Sequence, residues 1–163
     1  MKQYEQSEID QTRGYFERQE FPVEEVNVEG IAVPYFVIPQ ELMPSLPDFA
    51  FRMTRTDPEA GNVVGIFGVS DSVPEELRTY WALHEIIEFM QIGIDQEGRC
   101  AQAEELVVAQ IPVEHAAAYI EKRKVFFEKL CIFFQSELDA QTGSYTEEDL
   151  HEAEASLHFL NSL

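Results

Sequence analysis

The chain has 163 residues, of which 45% are hydrophobic and 12% aromatic, which is enough to fold as one globular domain over residues 1–163. Its 31 acidic residues outnumber 11 basic ones and give a formal net charge of -20, which argues against nucleic acid and membrane-surface partners. Both halves of the chain are acidic, so we expect an acidic surface and not a detachable acidic tail.

The sequence carries no sign of export or of a disulfide-stabilised fold. It contains no run of about 20 apolar residues that could span a bilayer. The first ten residues are polar and lack the apolar centre of a signal peptide. The two cysteines, Cys100 and Cys131, make no disulfide framework. A cytoplasmic location is therefore the expectation.

The N-terminal half begins with a helix and a hairpin. Apolar spacing over residues 4–19 predicts a short helix. Residues 23–38 alternate in polarity and are rich in β-branched and aromatic side chains, with a Glu-Gly break at 29–30, which predicts a β-hairpin. Pro34 and Pro39 favour a position at the edge of a sheet.

A second pair of strands follows a proline-rich loop. Residues 49–56 and 63–69 read as strands, and the turn-forming residues 57–62 join them. Together with the hairpin, these segments predict a small, mostly antiparallel sheet of three or four strands.

In the C-terminal half, the spacing of apolar residues changes to that of helices. Helices are predicted over residues 74–92, 99–110 and 112–140, and Thr146 with Asp149 forms a capping box for a last helix. The fold class is therefore α+β, with a small sheet in the N-terminal half followed by a helical C-terminal half.

The helix over residues 74–92 carries the first candidate site. Its apolar residues cover more than half of its circumference, and its polar residues occupy one sector. His84 and Glu88 are four residues apart and project from one face of the helix. Imidazole nitrogen and carboxylate oxygen are ligands for zinc and other divalent transition metals. The alternative is a hydrogen-bonded or salt-bridged His–Glu pair without a metal.

Two further glutamates complete the candidate site. Glu85 lies beside His84, where it could reach a water molecule on the metal without being a ligand. Glu104 lies in the middle of the apolar arc of the next helix, and a carboxylate there is costly unless it is paired, protonated or bound to a metal. We expect Glu104 as a third metal ligand, or else as a buried acid paired with Arg78 or hydrogen-bonded to Tyr80.

The order of these features resembles a minimal zincin metallopeptidase. The resemblance covers about residues 49–111: a strand, then a helix with His84-Glu85-Ile86-Ile87-Glu88 in the layout of the HExxH motif, then a helix with a glutamate. In that family an edge strand precedes the active-site helix and a downstream glutamate is a ligand. The resemblance implies His84, Glu88 and Glu104 as metal ligands and Glu85 as the general base of a hydrolase or peptidase.

Glu88 departs from the family pattern, because it replaces the second histidine. A His/Glu/Glu set carries two negative charges, which weakens the Lewis acidity of the ion and favours manganese or iron more than a two-histidine site does. A degenerate or repurposed zincin-like domain, with zinc or another divalent metal as cofactor, is the leading hypothesis. A zincin-like fold that binds no metal is a second one.

A third hypothesis is a non-catalytic acidic interaction module that binds or inhibits a basic partner or mimics DNA. It rests on the net charge and on the aromatic-rich helix of residues 113–134, which could form a homodimer. Other features receive structural interpretations: His115 as a surface or capping residue, residues 122–124 as a solvated basic face, and Cys131 as a small apolar filler.

Overall fold

The computed structural model describes residues 4–56, 63–93 and 95–163, and it confirms the α+β prediction. The elements are α1 (Gln6–Arg18), β1 (Val23–Val28), β2 (Ile31–Ile38), β3 (Ala50–Thr56), β4 (Val63–Ser70), α2 (Glu75–Ile87), α3 (Arg99–Val108), α4 (Val113–Asp139) and α5 (Glu147–Asn161). The turn predicted at residues 57–62 lies outside the described residues.

The strands form one four-stranded sheet within the described ranges, in the order β1-β2-β4-β3. The β1–β2 and β3–β4 pairs are antiparallel, and β2 pairs with β4 in parallel. The β1–β2 turn forms at Glu29 and Gly30, whose φ angles of 52° and 85° are both positive, as a two-residue hairpin turn requires. The sheet is mostly antiparallel, as predicted.

The predicted hairpin lies at one edge of the sheet, but its proline-containing strand is not the edge strand. β1 is the edge, and β2 lies between β1 and β4. Pro34 is tolerated because β4 pairs with β2 only at Phe36 to Ile38, so no strand on that side requires a backbone N–H from the proline. The opposite edge strand is β3; β4, which precedes α2, is interior, unlike the edge strand that the zincin resemblance implies.

α2 is largely buried. Leu77, Trp81, Ala82 and Ile86 are each no more than 2% exposed and belong to the larger of two apolar clusters. The helix continues into a π-helical turn, Glu88–Ile92, and ends at Gly93, whose φ of 104° suits glycine. The predicted helix 74–92 therefore has a change of hydrogen-bond pattern at Glu88, and such turns are frequent at functional sites.

The C-terminal helices form the second layer. α5 packs against both α3 and α4, and Thr146 caps α5 by accepting a hydrogen bond from the Asp149 N–H, as predicted. The solvated basic face predicted at residues 122–124 is wrong in one respect, because Arg123 is only 1% exposed and lies on the buried face of α4. Within the described residues, no helix is both long and apolar enough to cross a membrane.

Candidate functional site

His84 lies at the centre of a buried polar cluster. It is 2% exposed, and each ring nitrogen has acidic or sulfur neighbours. On one side, Nδ1 lies 2.9 Å from Glu104 Oε1, at ion-pair distance but off the direction of a linear N–H hydrogen bond. On the other side, Nε2 lies 3.4 Å from Cys100 Sγ and 3.6 Å from Glu88 Oε2. The two sides of the ring therefore have different chemical surroundings.

Glu104 is held by two residues, Arg123 and Tyr119, besides being close to His84. Its side chain is completely buried, and Oε1 accepts hydrogen bonds from Arg123 Nε, at 2.7 Å, and from Arg123 Nη2. Oε2 accepts a hydrogen bond of 2.9 Å from the Tyr119 hydroxyl. Burial alone would raise the pKa of Glu104, but the charges of Arg123 and His84 outweigh it and lower that pKa to about 2.

The predicted burial of Glu104 is thus found, but its neutralising partners are Arg123 and Tyr119, and not Arg78 or Tyr80. Arg78 instead forms an ion pair with Glu24, and the Tyr80 hydroxyl lies 3.0 Å from Nδ1 of His115. Because Glu104 lies at Nδ1, an ion bound at Nε2 of His84 would not be within its reach. The structure brings Glu104 to the opposite side of the ring from Glu88.

Glu88 and Cys100 meet at the Nε2 side. The three ligand atoms, His84 Nε2, a Glu88 oxygen and Cys100 Sγ, all lie within 4.8 Å of one another. In a tetrahedral zinc site, bonds of about 2.0–2.3 Å place neighbouring ligand atoms about 3.3–3.7 Å apart. The measured separations from Nε2, 3.4 and 3.6 Å, fall in that range. In the part of the chain that the structure describes, these three side chains are the ones that could hold a divalent ion.

Two arginines hold Glu88 in position. Oε1 accepts hydrogen bonds from Arg99 Nε at 2.8 Å and from Arg52 Nη2 at 3.1 Å. Oε2, the atom nearer to His84, lies 3.0 Å from Arg52 Nη1. Burial alone would raise the pKa of Glu88, but His84 and Arg52 outweigh it and hold that pKa well below its usual range. Glu88 is therefore an ionised carboxylate, and the Arg52 ion pair at Oε2 is the interaction that a metal ion would replace.

Cys100 reaches the site because it is the second residue of α3. Gly98, with a φ of 71°, begins the helix, and its N–H donates a 2.7 Å hydrogen bond to Glu152 Oε1. The Cys100 N–H donates a 3.0 Å hydrogen bond to Glu152 Oε2. Both oxygens of this α5 carboxylate thus cap the start of α3, where a negative charge is favourable. Burial raises the pKa of the Cys100 thiol.

Glu85, the predicted general base, lies at the rim of the same cluster. Its Oε2 is 3.4 Å from Arg52 Nη1, and its side chain is 16% exposed. Burial and the neighbouring Glu88 charge raise the pKa of Glu85. For His84, burial lowers the pKa, but Cys100 and Glu104 raise it well above its usual value.

The cluster forms one end of a pocket of about 370 Å³, within the size range of small-ligand sites. Its walls come mainly from β3, α2, α3, α4, α5 and the loop before β3. A wider depression of about 530 Å³ lies between α4 and α5, next to Cys131 and Ile132. That depression lacks the convergence of buried ionisable groups that marks the first pocket.

Four functional candidates were not predicted from the sequence: Arg52, Arg99, Cys100 and Arg123. Two of them had a visible signal. Cys100 and Glu104 are four residues apart in α3 and so share a face. Arg123 lies three and four residues before Phe126 and Phe127, which places it on the apolar stripe of α4. Arg52 and Arg99 belong to other elements, and only the tertiary fold brings them to Glu88.

Comparisons with known proteins give no further guide to this site. Scans against protein-family models, curated proteins and solved structures found no match. The zincin resemblance therefore rests on the motif and on element order alone.

Proposed function

We propose that the chain is a metal-binding protein that holds one divalent ion, zinc by preference, between His84 Nε2, Glu88 Oε2 and Cys100 Sγ. The observation that carries this proposal is the approach of Cys100 Sγ and Glu88 Oε2 to the same ring nitrogen, at 3.4 and 3.6 Å. A thiolate ligand shifts the preference from manganese or iron towards zinc. Glu104, expected as a third ligand, is proposed instead to act on the other ring nitrogen.

The surroundings support this division of roles. Metal-binding histidines usually present their other nitrogen to a carboxylate, which sets the tautomer and the ring orientation. Glu104 lies at that nitrogen and is itself held by Arg123 and Tyr119. On the ligand side, Glu88 Oε1 is held by Arg99 and Arg52, while Oε2 lies between Arg52 Nη1 at 3.0 Å and His84 Nε2 at 3.6 Å. An ion at this site would take the place of Arg52 at Oε2.

A hydrolytic reaction is the activity we propose for the loaded site. A bound divalent ion supplies a Lewis acid, and three protein ligands leave a fourth position open. Glu85, which lines the same pocket, would take a proton from the attacking water and return it to the leaving group as the bond between the carbonyl carbon and that group breaks. Arg52, 3.4 Å from Glu85 Oε2, would hold the carboxylate in place.

An overlapping set of groups, Cys100, His84 and Glu104, favours one other chemistry. Cys100 Sγ, His84 and Glu104 follow one another in the order nucleophile, base and orienting acid, with separations of 3.4 and 2.9 Å. A thiol at a helix N-terminus is often activated. Here Glu152 already caps that helix and burial raises the pKa of the thiol, so we rank a cysteine nucleophile second.

Zinc content separates these proposals. We expect about one zinc per chain in protein purified without a tag and loaded with zinc. His84→Ala should lose the ion, while His115→Ala, which removes a histidine that contacts Tyr80 outside the cluster, should keep it. Zinc should also protect Cys100 from iodoacetamide. A protein that binds no zinc, and whose Cys100 reacts rapidly with iodoacetamide in a His84-dependent way, would favour the nucleophile instead.

A further inference from the structure

The pocket beside the cluster has a second, apolar end. Its walls there are side chains from the loop before β3, from β3 itself and from α4, together with Tyr145: Met43, Leu46, Phe51, Leu130, Phe134 and Tyr145. Leu46 packs against both apolar clusters of the protein, so the pocket lies between them. Apolar cavities are poorly hydrated and bind apolar groups readily.

Aromatic rings continue this wall up to the ion-pair cluster. The Phe127 ring centroid lies 6.5 Å from that of His84, and the Tyr145 ring lies 4.9 Å from that of Phe134. A ligand that fills the pocket would therefore contact aromatic side chains along its length and reach His84 at one end. At about 370 Å³ the pocket is near the lower limit for small-ligand sites, so its occupant is small.

The charges at the inner end indicate what the ligand's polar group is. Arg52 is paired with Glu85 and Glu88, Arg99 with Glu88 and Glu148, and Arg123 with Glu104. Each of the three guanidinium groups that line this end therefore already faces a carboxylate. A carboxylate ligand would face Glu85 and Glu88, and an amine ligand would face Arg52. A neutral group avoids both repulsions.

We infer that the pocket binds a small neutral amide or ester with one aromatic or branched aliphatic group, the apolar group against Leu130 and Phe134 and the carbonyl towards His84. The choice of a carbonyl rests on the proposed hydrolytic function. The preference for an apolar group rests on the pocket walls, and the preference for a neutral ligand rests on the ion pairs. Both preferences therefore apply to the metal-free protein as well.

Four probes of related size test this inference by ligand-observed NMR on the metal-free protein. 2-Phenylacetamide carries the ring and a neutral carbonyl, phenylacetate is its anion counterpart, phenethylamine its cation counterpart, and acetamide lacks the ring. We expect phenylacetamide to bind at least about tenfold more tightly than acetamide, because only the former buries a phenyl ring. It should also bind at least about tenfold more tightly than phenylacetate and phenethylamine, because those ions meet a like charge beside Glu85, Glu88 and Arg52. Preferred binding of a charged probe, or equal binding of acetamide, would overturn the inference.

Two pocket variants and one control variant locate the binding. Ala50→Phe inserts a ring into the pocket and should abolish binding, whereas Ala117→Phe makes the same change on an exposed position of α4 and should not. Phe134→Ala removes part of the wall without inserting volume, and should weaken binding about tenfold with an unchanged far-ultraviolet spectrum. Undiminished binding in both pocket variants would overturn the inference. Zinc loading is measured separately, so a failure of the metal proposal is distinguished from a failure of the pocket.

Discussion

The buried pair of Arg123 and Glu104 provides the sharpest test of how the site is held together. Arg123→Met removes the guanidinium that donates two hydrogen bonds to Glu104, and leaves a carboxylate of zero exposure with only His84 and Tyr119. Breaking a buried ion pair from one side costs about 3–5 kcal/mol. The guanidinium carbon also lies 4.6–4.8 Å from three ring centroids, and the methionine replaces only the packing part of that contact.

We therefore expect Arg123→Met to lower the free energy of unfolding by about 4 kcal/mol. With a urea slope of about 2 kcal/mol/M, the midpoint should fall by about 2 M. The fluorescence of Trp81, the sole tryptophan, reports the change directly because its ring lies under Arg123. Lys129→Met removes an exposed cation from the same helix and should change stability by less than about 0.5 kcal/mol.

A double-mutant cycle separates the ion pair from simple loss of packing. In Arg123→Met combined with Glu104→Gln, no buried charge remains unpaired, and the amide oxygen can still accept from Tyr119. The double variant should be more stable than the sum of the single effects predicts, by about 2 kcal/mol. Strict additivity, or a loss in Arg123→Met no larger than in Lys129→Met, would mean that the Arg123–Glu104 ion pair does not stabilise the fold.

Three further predictions concern acid stability and local packing. The pKa of Glu104 is lowered from its ordinary value of 4.5 to about 2. Its contribution to the free energy of unfolding is therefore complete above pH 4.5 and is lost as the pH falls towards about 2. The thermal midpoint should drop over that range, and it should drop less steeply in Glu104→Gln. Gly65→Ala would place a Cβ 2.6 Å from a backbone oxygen of β3, and it should lower the free energy of unfolding, measured in urea, by about 1–3 kcal/mol. The control is Gly14→Ala in α1, whose Cβ meets only the end of a flexible arginine. It should raise the free energy of unfolding by up to about 1 kcal/mol. Thr146→Ala removes the cap of α5 and should cost about 1 kcal/mol by the same assay; no loss would contradict the capping interaction.

The elements were predictable because their signals are local. Apolar period, turn residues and caps placed the strands and helices, and the Thr146–Asp149 capping box was predicted residue by residue. The parallel pairing of β2 with β4 was not predictable in this way, because register between strands far apart in sequence depends on the whole fold.

The site was predictable only in part, for the same reason. His84 and Glu88 share a helical face, and the inward position of Glu104 followed from its place on an apolar arc. Whether Glu104 would meet Nδ1 or Nε2 of His84 depends on how α3 packs against α2, which no local pattern encodes. Cys100 was not predicted as a ligand, although its position four residues before Glu104 places it on the same face.

Cobalt(II) substitution shows whether a divalent ion binds between His84, Glu88 and Cys100. We expect an intense visible spectrum of a tetrahedral site with a thiolate-to-cobalt charge-transfer band. That band should disappear in Cys100→Ser and persist in Cys131→Ser, since Cys131 lies outside the cluster. A weak spectrum without a thiolate band, or one unchanged in Cys100→Ser, would contradict binding at these residues and leave the acidic surface as the feature to pursue.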